Sequence, residues 1–358
     1  MTGLFYTLND NATWKAERRD HNRGLQISSP KSRRARYSCI NLSYSLLIFH
    51  FIWLNRKIGY VYVSKTMKKL SLLAILLFLS PLITSFRADE SWTPLLDQQL
   101  SHWRTYQSYR HKTTYTGDVP KDEKGNPIPP IGYDKNEAKV FSVMMEGKTP
   151  VLRISGEIYG CVFTRQDFEN YHLKMKVKWG DKKWEPRLLE PMDSGILYHS
   201  QGECGVDYFR SWMLSQEFQM IERSMGDYWC IANSQIDIKA KKQAGKDSLI
   251  YSRDGRLYQL GQGAKDRYYF CKAAADYEKP KGEWNEIELI CYQDKSLHIV
   301  NGHVVMALSN SSWYDGRTAR ALTKGKIQLQ SEAAEVFYKD IYIRSIKSLP
   351  AQYKSYFQ

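Results

Sequence analysis

Cysteine is scarce in this chain of 358 residues, and its positions exclude several kinds of site. Six cysteines occur and no CxxC pair is present, which disfavours a zinc ribbon. Five of them follow residue 90, at Cys161, Cys204, Cys230, Cys271 and Cys291. An odd number leaves at least one thiol unpaired even if an exported protein forms disulfides. We therefore expect most of them to be buried free cysteines.

Long apolar segments are also few, and both lie before residue 90. Residues 67–85 read MKKLSLLAILLFLSPLITS, in which two lysines precede an apolar run that closes on small residues. This is the pattern of a secretory signal peptide, and the run at 70–79 is short for a membrane span. No cysteine follows closely, so a lipoprotein anchor is not supported.

The position of this pattern predicts the domain organisation. We expect Met67 to be the true start, residues 1–66 to be a mistranslated upstream extension, 67–88 a signal peptide and 89–358 a single mature domain. A periplasmic or secreted protein would result. The alternative is a real extension, because residues 37–54 are long enough to span a membrane, although they contain Asn41, several serines and His50.

The basic excess of the chain belongs mostly to this leader. The formal net charge is +14, of which residues 1–66 carry +8 and residues 67–88 carry +3. The mature part is left with only +3, so a nucleic-acid partner is not expected. Once the signal is cleaved, no stable membrane insertion is expected either.

Helical periodicity, strand–helix alternation and internal repeats are lacking in the mature part, whereas a period of two recurs. In YHLKMKVKW, residues 171–179, the apolar residues and Trp179 alternate with His172 and three lysines. Asn301-Gly302 between apolar runs is typical of a type I′ hairpin. These patterns predict an all-β sandwich or jelly roll, in which one curved sheet presents a concave face to a ligand.

Three predicted strands carry polar residues at alternate positions and could line that face. They contribute Asp193, Gly195 and His199; Glu217 and Gln219; and Gln328, Gln330 and Glu332. Glu157, flanked by Gly156 and close to Gly160, is expected in a turn beside the groove. Solvated outer faces show the same alternation, so each strand alone is more consistent with simple exposure.

The stretch SQEFQMIE, residues 215–222, resembles a common glycosidase motif but lacks one of its acidic residues. Retaining glycosidases on β-sandwiches often carry an acidic trio with nearly this spacing, but Gln219 stands in place of the middle Asp. Glu222 has the opposite parity to Glu217, so it reaches the same face only if a bulge intervenes. A conventional endo-glucanase is therefore disfavoured.

The stretches DSGILYH, EFQMIE, GEWNEIELICYQDKSLHIVNG and GKIQLQSEAAEVFYKDIYIR resemble the 3-keto-disaccharide hydrolase family, formerly a domain of unknown function. The resemblance extends from about residue 95 to residue 346. It implies a concanavalin-like jelly roll in an exported carbohydrate-active protein. The chain departs from the family pattern at Asp193, His199 and Glu332-Ala333, where Asn, Arg and His-Gly are frequent, which concerns substrate identity more than fold.

The resemblance also implies a reaction that needs fewer carboxylates. A 3-keto group acidifies the proton on carbon 2, so one carboxylate can remove it and the aglycone on carbon 1 then leaves, with net hydrolysis if water adds back. Glu217 is the expected base, with His199 and Glu157 as further catalytic candidates. A donor or cation such as His199, Arg187 or a divalent metal would stabilise the enolate.

The remaining candidates would bind an oligosaccharide or glycoside substrate. Gln219, Asp193, Arg187, Gln330 and Glu332 would hold the sugar by hydrogen bonds, and Trp179, Trp212 or Trp184 would stack on it. No cofactor is certain from the sequence, and the ligands of a metal are unknown. The main alternative is a non-catalytic carbohydrate-binding sandwich module, which would use the same groove but would tolerate Gln at position 217.

Overall fold

A computed structural model of the protein describes residues 4–8, 14–18 and 91–358. The predicted signal peptide at 67–88 lies outside the described residues, as does the predicted extension apart from two short strands. Those two strands pair with each other.

The described chain is almost entirely β-structure, with 3-10 helices only at Glu137–Lys139 and Ala351–Phe357. Neither helix has the length or apolar character needed to cross a bilayer, and the described residues contain no helix that does. The strands are β1 (Leu4–Leu8), β2 (Trp14–Arg18), β3 (Thr93–Pro94), β4 (Trp103–Gln107), β5 (Gly132–Tyr133), β6 (Phe141–Glu146), β7 (Thr149–Ile154), β8 (Gly160–Thr164), β9 (Tyr171–Lys183), β10 (Asp193–Gln201), β11 (Leu214–Ile221), β12 (Asp227–Ile231), β13 (Ser234–Lys242), β14 (Leu249–Tyr251), β15 (Arg256–Gly261), β16 (Phe270–Cys271), β17 (Asn285–Tyr292), β18 (Lys295–Val300), β19 (His303–Tyr314), β20 (Ala319–Ala321), β21 (Lys326–Ser331) and β22 (Ala334–Ser345).

Two large antiparallel sheets contain most of these strands. The first, which we call the site sheet, has eight strands in the order β16-β12-β11-β10-β21-β8-β4-β5. The second has twelve strands and is built around the order β14-β13-β19-β18-β17-β9-β22-β7-β6. Neighbours in space are often distant in the chain, as where β21 lies between β10 and β8, which is typical of a jelly roll. The predicted all-β jelly-roll sandwich is confirmed.

The main core forms between the two sheets because their inward positions are apolar. Leu173, Val177 and Tyr338 of the large sheet join Ile196 and Phe218 of the site sheet in one buried cluster. The alternation predicted for residues 171–179 is confirmed in β9, whose apolar positions are buried while Lys174 is exposed. Burial of each large apolar side chain stabilises the fold by about 1.5–3 kcal/mol.

The predicted hairpin at Asn301-Gly302 is confirmed. Val300 pairs with His303, which leaves a two-residue loop, and both loop residues have positive φ, 48° and 81°. Such angles are those of a type I′ turn and suit Asn and Gly. The five cysteines from Cys161 onward are all free thiols, as expected, and four of them are buried.

The site sheet differs from an ordinary solvated sheet because both of its faces are buried near its centre. In β10 every residue except the last is buried. A second apolar cluster covers the outer face of this sheet, and it includes Tyr159, Phe163, Leu197 and Trp212. Part of the cover comes from residues 202–213, which we call the covering segment, because Cys204, Phe209 and Trp212 of this segment pack in that cluster.

Candidate functional site

The polar residues predicted to share a face meet on the outer face of the site sheet. Antiparallel pairing places Gly195 opposite Gln219 and Leu197 opposite Glu217. On the other side of β10, Ile196 pairs with Leu329, so Gly195 lies level with Gln330. Directly paired residues have their side chains on the same face. Glu217, Gln219 and Gln330 therefore converge above Gly195.

Gly195 is required at the centre of this arrangement because no side chain fits there. A Cβ atom on Gly195 would lie 2.3 Å from Glu217 Oε1 and 2.4 Å from Gln330 Oε1. Real Cβ atoms do not approach other heavy atoms so closely, so any substitution would displace both side chains. The missing side chain leaves a space above Gly195, which we call the Gly195 gap and which the Glu217 carboxyl and the Gln330 amide fill.

One cation faces the carboxyl groups at the end of β10. Arg187 Nη2 bonds to Asp193 Oδ2 at 2.7 Å, and both side chains are largely buried. Asp193 forms an isolated β-bridge with Glu332, which follows directly after β21. Glu332 is itself only 6% exposed. The site therefore combines three buried carboxyl groups, Asp193, Glu217 and Glu332, with one guanidinium.

Several buried polar atoms here have no hydrogen-bond partner among the described residues. They are Arg187 Nε, Asp193 Oδ1, Glu217 Oε1, Gln219 Oε1, both amide atoms of Gln330 and the Tyr159 hydroxyl. A buried polar group without a partner costs about 1–3 kcal/mol, so proteins rarely leave one unsatisfied. Seven such atoms belong to the residues of this site, the carboxyl cluster, which makes this cluster the candidate binding place for a polar ligand.

Burial raises the pKa of each of these carboxyl groups, and the charge of Asp193 adds to the shift in Glu217 and in Glu332. Burial raises the pKa of Asp193 to about 6, against the opposing effect of Arg187. The pKa of Glu217 is raised well above its usual value by burial and by the charge of Asp193, while Gln330 and Arg187 act in the other direction. Burial and Asp193 likewise raise the pKa of Glu332 well above its usual value. Arg187, which bonds directly to Asp193, opposes the shift in that carboxyl by favouring its ionised form.

His199 does not lie on the face where it was predicted. Between Tyr198 and Gln201 the register of β10 shifts by one residue against β11, and His199 has a φ of 54°. This bulge turns the imidazole toward the core between the sheets, where its ring centroid is 6.2 Å from that of Tyr171. Ser200 takes its place on the outer face and accepts a hydrogen bond from Gln328 Nε2 at 2.8 Å. His199 and Glu217 therefore do not face each other.

Two other acidic residues that the sequence offered as candidates for the site, Glu157 and Glu222, lie apart from the gap. Glu157 forms an ion pair with Arg110, with Oε1 and Nη1 2.6 Å apart, and is partly exposed in the turn before β8. Glu222 follows the last residue of β11, and its Oε2 accepts a 3.4 Å hydrogen bond from the backbone of Met192. The pairing of β11 is regular from Glu217 to Ile221, so there is no bulge that would place Glu222 on the same face as Glu217. Its opposite parity therefore holds.

The tryptophans predicted to stack on sugar have structural partners. Trp179 is buried in the core between the sheets, where its Nε1 bonds to Glu278 Oε1 at 2.7 Å, because it shares the apolar face of β9. Trp212 lies on the outer face but is buried, and its Nε1 donates to Gly160 O at 3.0 Å. Trp184 is only partly buried and donates to Ser155 O at 2.9 Å. Trp179 is thus separated from the carboxyl cluster.

Sequence reasoning missed three residues around the gap. Tyr159 alternates with Cys161 and Phe163, which could have indicated its face. Asp207 in the covering segment accepts backbone hydrogen bonds from Phe209, Ser211 and Trp212, a common role for Asp in a tight loop.

Trp229 is the third missed residue. It pairs with Glu217 across β11 and β12, is only partly buried, and packs 4.8 Å from the ring of Phe270. β12 is too short for its alternation to show on which face Trp229 lies.

The described residues contain no group of three or more His, Cys, Asp or Glu side chains placed to hold a metal ion. Depressions of about 80 and 430 Å³ lie elsewhere on the surface, one beside Thr164 and Phe168 and the other beside Lys239 and Arg253. The carboxyl cluster instead lies in closed structure beneath the covering segment.

Comparison with solved structures finds many similar chains, 88 in all. A candidate glycosyl hydrolase from Parabacteroides distasonis ATCC 8503 is 17% identical with a TM-score of 0.38, and the match covers 72% of this chain and all of the other. A Bacillus licheniformis β-glucanase is 9% identical with a TM-score of 0.33, and the match covers 72% and 98% of the two chains.

A carbohydrate-binding module from Bacillus subtilis, CBM66, is 8% identical with a TM-score of 0.34, and the match covers 57% and 91% of the two chains. No curated protein sequence matches the chain.

The family comparison extends over the whole site. Residues 91–344 match the 3-keto-alpha-glucoside-1,2-lyase-like domain, a span that contains both large sheets and every residue around the Gly195 gap. By this match over most of its length, the chain belongs to the carbohydrate-active family of 3-keto-alpha-glucoside-1,2-lyase-like domains.

Proposed function

We propose that the protein is an exported enzyme that cleaves the glycosidic bond of 3-keto-glycosides. Glu217 removes the proton from carbon 2, and the aglycone on carbon 1 then leaves by elimination; addition of water gives net hydrolysis. The observation that carries the proposal is the Glu217 carboxyl itself, buried, with Oε1 unpartnered and directed at the Gly195 gap.

The electrostatics of the gap suit this chemistry. A base acts best when its pKa lies near the working pH, and burial moves the pKa of Glu217 upward from its usual value of 4.5. Gln219 adds no charge, so the enolate that forms meets one fewer negative group. Arg187 Nε and Gln330 Nε2 are unpartnered donors within the cluster and would stabilise the enolate oxygen.

The same electrostatics favour a neutral substrate. Three carboxyl groups and one guanidinium leave the gap acidic or neutral, depending on protonation. A phosphorylated sugar or a uronic acid would meet repulsion in this buried setting. A neutral keto-sugar, by contrast, offers hydroxyl and carbonyl groups that match the unpartnered amides. Trp229, beside Glu217, would stack on the sugar ring.

The test is incubation of the protein with 3-keto-α-glucosides and with the same glucosides carrying an ordinary 3-hydroxyl, with and without chelator. Deuterated water provides a second readout, since proton abstraction would exchange the carbon 2 hydrogen. We expect cleavage and exchange only with the 3-keto compounds. Binding of sugars without turnover or exchange on any 3-keto-glycoside would favour the binding-module alternative.

A further inference from the structure

Two cysteines on the outer face of the site sheet lie side by side. Cys161 belongs to β8 and Cys204 to the covering segment, and 43 residues separate them in the chain. Their Sγ atoms are nevertheless only 4.0 Å apart, and both thiols are free. The other cysteines of the described part of the chain contact different groups, as where Cys230 Sγ lies 3.3 Å from the Tyr228 hydroxyl. The fold has therefore brought together two thiols that the sequence does not relate.

The pair joins the covering segment to the strand beside the carboxyl cluster. Cys161 pairs directly with Gln330 across β8 and β21, so the two side chains share the outer face of the sheet. Cys204 packs in the apolar cluster on the same face, together with Phe209 and Trp212 of the covering segment. A covalent bond between the two sulfurs would therefore fix the covering segment next to the candidate site.

Only one of the two cysteines has to move for such a bond to form. The sulfurs of a disulfide are about 2.05 Å apart, so the two Sγ atoms must approach by about 2 Å. Cys161 is held in place because β8 pairs with β21 on one side and with β4 on the other. Cys204 is only partly buried, and residues 202–213 contain no strand. Gly202, two residues earlier, has open space around it. The approach therefore falls to the edge of the covering segment.

The loss of the thiol hydrogen from Cys161 leaves no buried group without a partner. Cys161 Sγ donates a 3.3 Å hydrogen bond to Gln328 Oε1. The same oxygen accepts a hydrogen bond from the Met213 backbone N–H at 3.2 Å. Oxidation of the thiol would remove the first bond and keep the second. The buried amide oxygen thus remains satisfied in both redox states.

We propose that Cys161 and Cys204 form a disulfide bond that fixes the covering segment to the site sheet. The oxidant is an external disulfide of a small thiol. The Cys204 thiolate attacks one sulfur of this disulfide, and the first small thiol leaves. Cys161 then loses its proton to solvent and attacks the Cys204 sulfur of the mixed disulfide, and the second small thiol leaves. Two cysteine thiols are oxidised, and one external disulfide is reduced to two thiols.

The order of the two steps follows from exposure. Cys204 is the more accessible thiol, whereas Cys161 is fully buried. Burial, and after it the contact with Cys204, raises the pKa of Cys161 well above its usual value. Because the thiolate is the attacking species, closure by Cys161 is the slow step, and it becomes faster as the pH rises. The bond depends only on these two thiols and not on the proposed reaction with 3-keto-glycosides.

The experiment incubates the purified protein with oxidised glutathione at pH 8, and a parallel sample with dithiothreitol. Trypsin digestion without reduction should yield residues 154–165 and 188–210, each with one cysteine, as one joined peptide. The joined peptide should be lighter than the sum of its parts by two hydrogen atoms. Before denaturation, chymotrypsin should cut within residues 202–213 at least about tenfold more slowly in the oxidised form, because the bond opposes local opening. The melting temperature should rise by roughly 5 °C or more, since the bond closes a long loop.

Cys204→Ser is the decisive variant, because it changes one atom at a partly exposed position. It should abolish the joined peptide and remove the differences between the oxidised and the reduced form. Cys291→Ser is the matched control, since Cys291 is a buried free thiol in the core between the sheets. It should keep the joined peptide and both differences.

Three results would overturn the proposal. The first is a glutathione adduct that stays on Cys204, or no oxidation at all, after prolonged incubation. The second is a joined peptide that contains other cysteines in place of Cys161 and Cys204. The third is a correct bond without slower cleavage of residues 202–213, which would show that the bond does not fix the covering segment. None of these measurements needs turnover, so they stand or fall separately from the proposed function.

Discussion

Glu217 is the residue on which the proposed chemistry depends most directly. Its carboxyl is buried and leans into the gap above Gly195, and the next residue on its strand face is Gln219 rather than a second carboxyl. A Gln at this position would keep the shape and the hydrogen-bonding atoms but could not accept a proton. Substitution of Glu217 by Gln therefore separates the contribution of this residue to catalysis from its contribution to sugar binding.

We expect Glu217→Gln to lower turnover of a 3-keto-glycoside by about 10²–10⁴-fold while sugar binding is largely retained. Steady-state kinetics and calorimetric titration measure the two quantities separately. Glu278→Gln is the matched control, since Glu278 is a Glu of raised pKa that bonds to Trp179 away from the gap. Near-parental turnover by Glu217→Gln, together with an inactive Glu157→Gln or Glu332→Gln, would move the base to one of those residues.

The covering segment, residues 202–213, is the element that encloses the site, and a single side chain organises it. Both Asp207 carboxyl oxygens accept backbone hydrogen bonds, from Phe209 at 2.8 Å and from Ser211 and Trp212 at 2.8 and 2.7 Å. Burial raises the pKa of Asp207 to about 6, and these bonds oppose that shift. Without the carboxyl, three backbone donors would lose their acceptor.

Asp207→Ala should therefore loosen the covering segment and leave the two sheets assembled. Each unsatisfied buried donor costs about 1–3 kcal/mol, but a segment at the surface can open and regain water. Limited proteolysis should cut within residues 202–213 at least several-fold faster in the variant. Asp118→Ala, in an exposed loop, provides the comparison. Unchanged cleavage within the segment would show that its packing, rather than Asp207, holds it in place.

At the scale of the whole molecule, the buried carboxyl groups couple stability to pH. The folded pKa values of Glu217 and Glu332 are raised above the usual 4.5, so the folded state holds protons that the unfolded state has released. Their stabilising contribution is complete below about pH 4.5 and is lost as the pH rises toward the folded pKa values. At neutral pH the burial of these carboxyl groups therefore lowers the stability of the folded state.

We therefore expect the double variant Glu217→Gln/Glu332→Gln to melt at a higher temperature than the parent at pH 8. The difference should shrink as the pH falls and disappear below about pH 4.5, where the parent carboxyl groups are protonated in both states. Glu157→Gln should show no such pH-dependent gain, because Glu157 is partly exposed and already paired with Arg110. A melting difference that grows as the pH falls would contradict the expected sign.

The fold and much of the site could be predicted because both depend on a period of two. The alternation in β9, the hairpin at Asn301-Gly302 and the shared face of Glu217, Gln219 and Gln330 are local patterns that pairing preserves. His199 could not be placed this way because one bulge residue reverses the parity beyond it. Trp179 was assigned to sugar although its own alternation placed it on the core face.

Other residues depend on contacts distant in the chain and leave little trace in it. Arg187 reaches Asp193 from a loop, and Tyr159 meets Glu332 only because β8 and β21 are paired. The burial of the whole outer face also depends on the covering segment, which has no periodic signal. Such features follow from topology rather than from local pattern.

The bulge in β10 has a consequence for comparison among relatives. A protein with one residue fewer between Tyr198 and Gln201 would keep its strand regular, and its counterpart of His199 would lie on the outer face of the site sheet. The same alignment column would then contain a core residue in one homologue and a site residue in another. A substitution at this column, such as His against Arg, therefore indicates a change in the site only if the two proteins also have the same number of residues in the bulge.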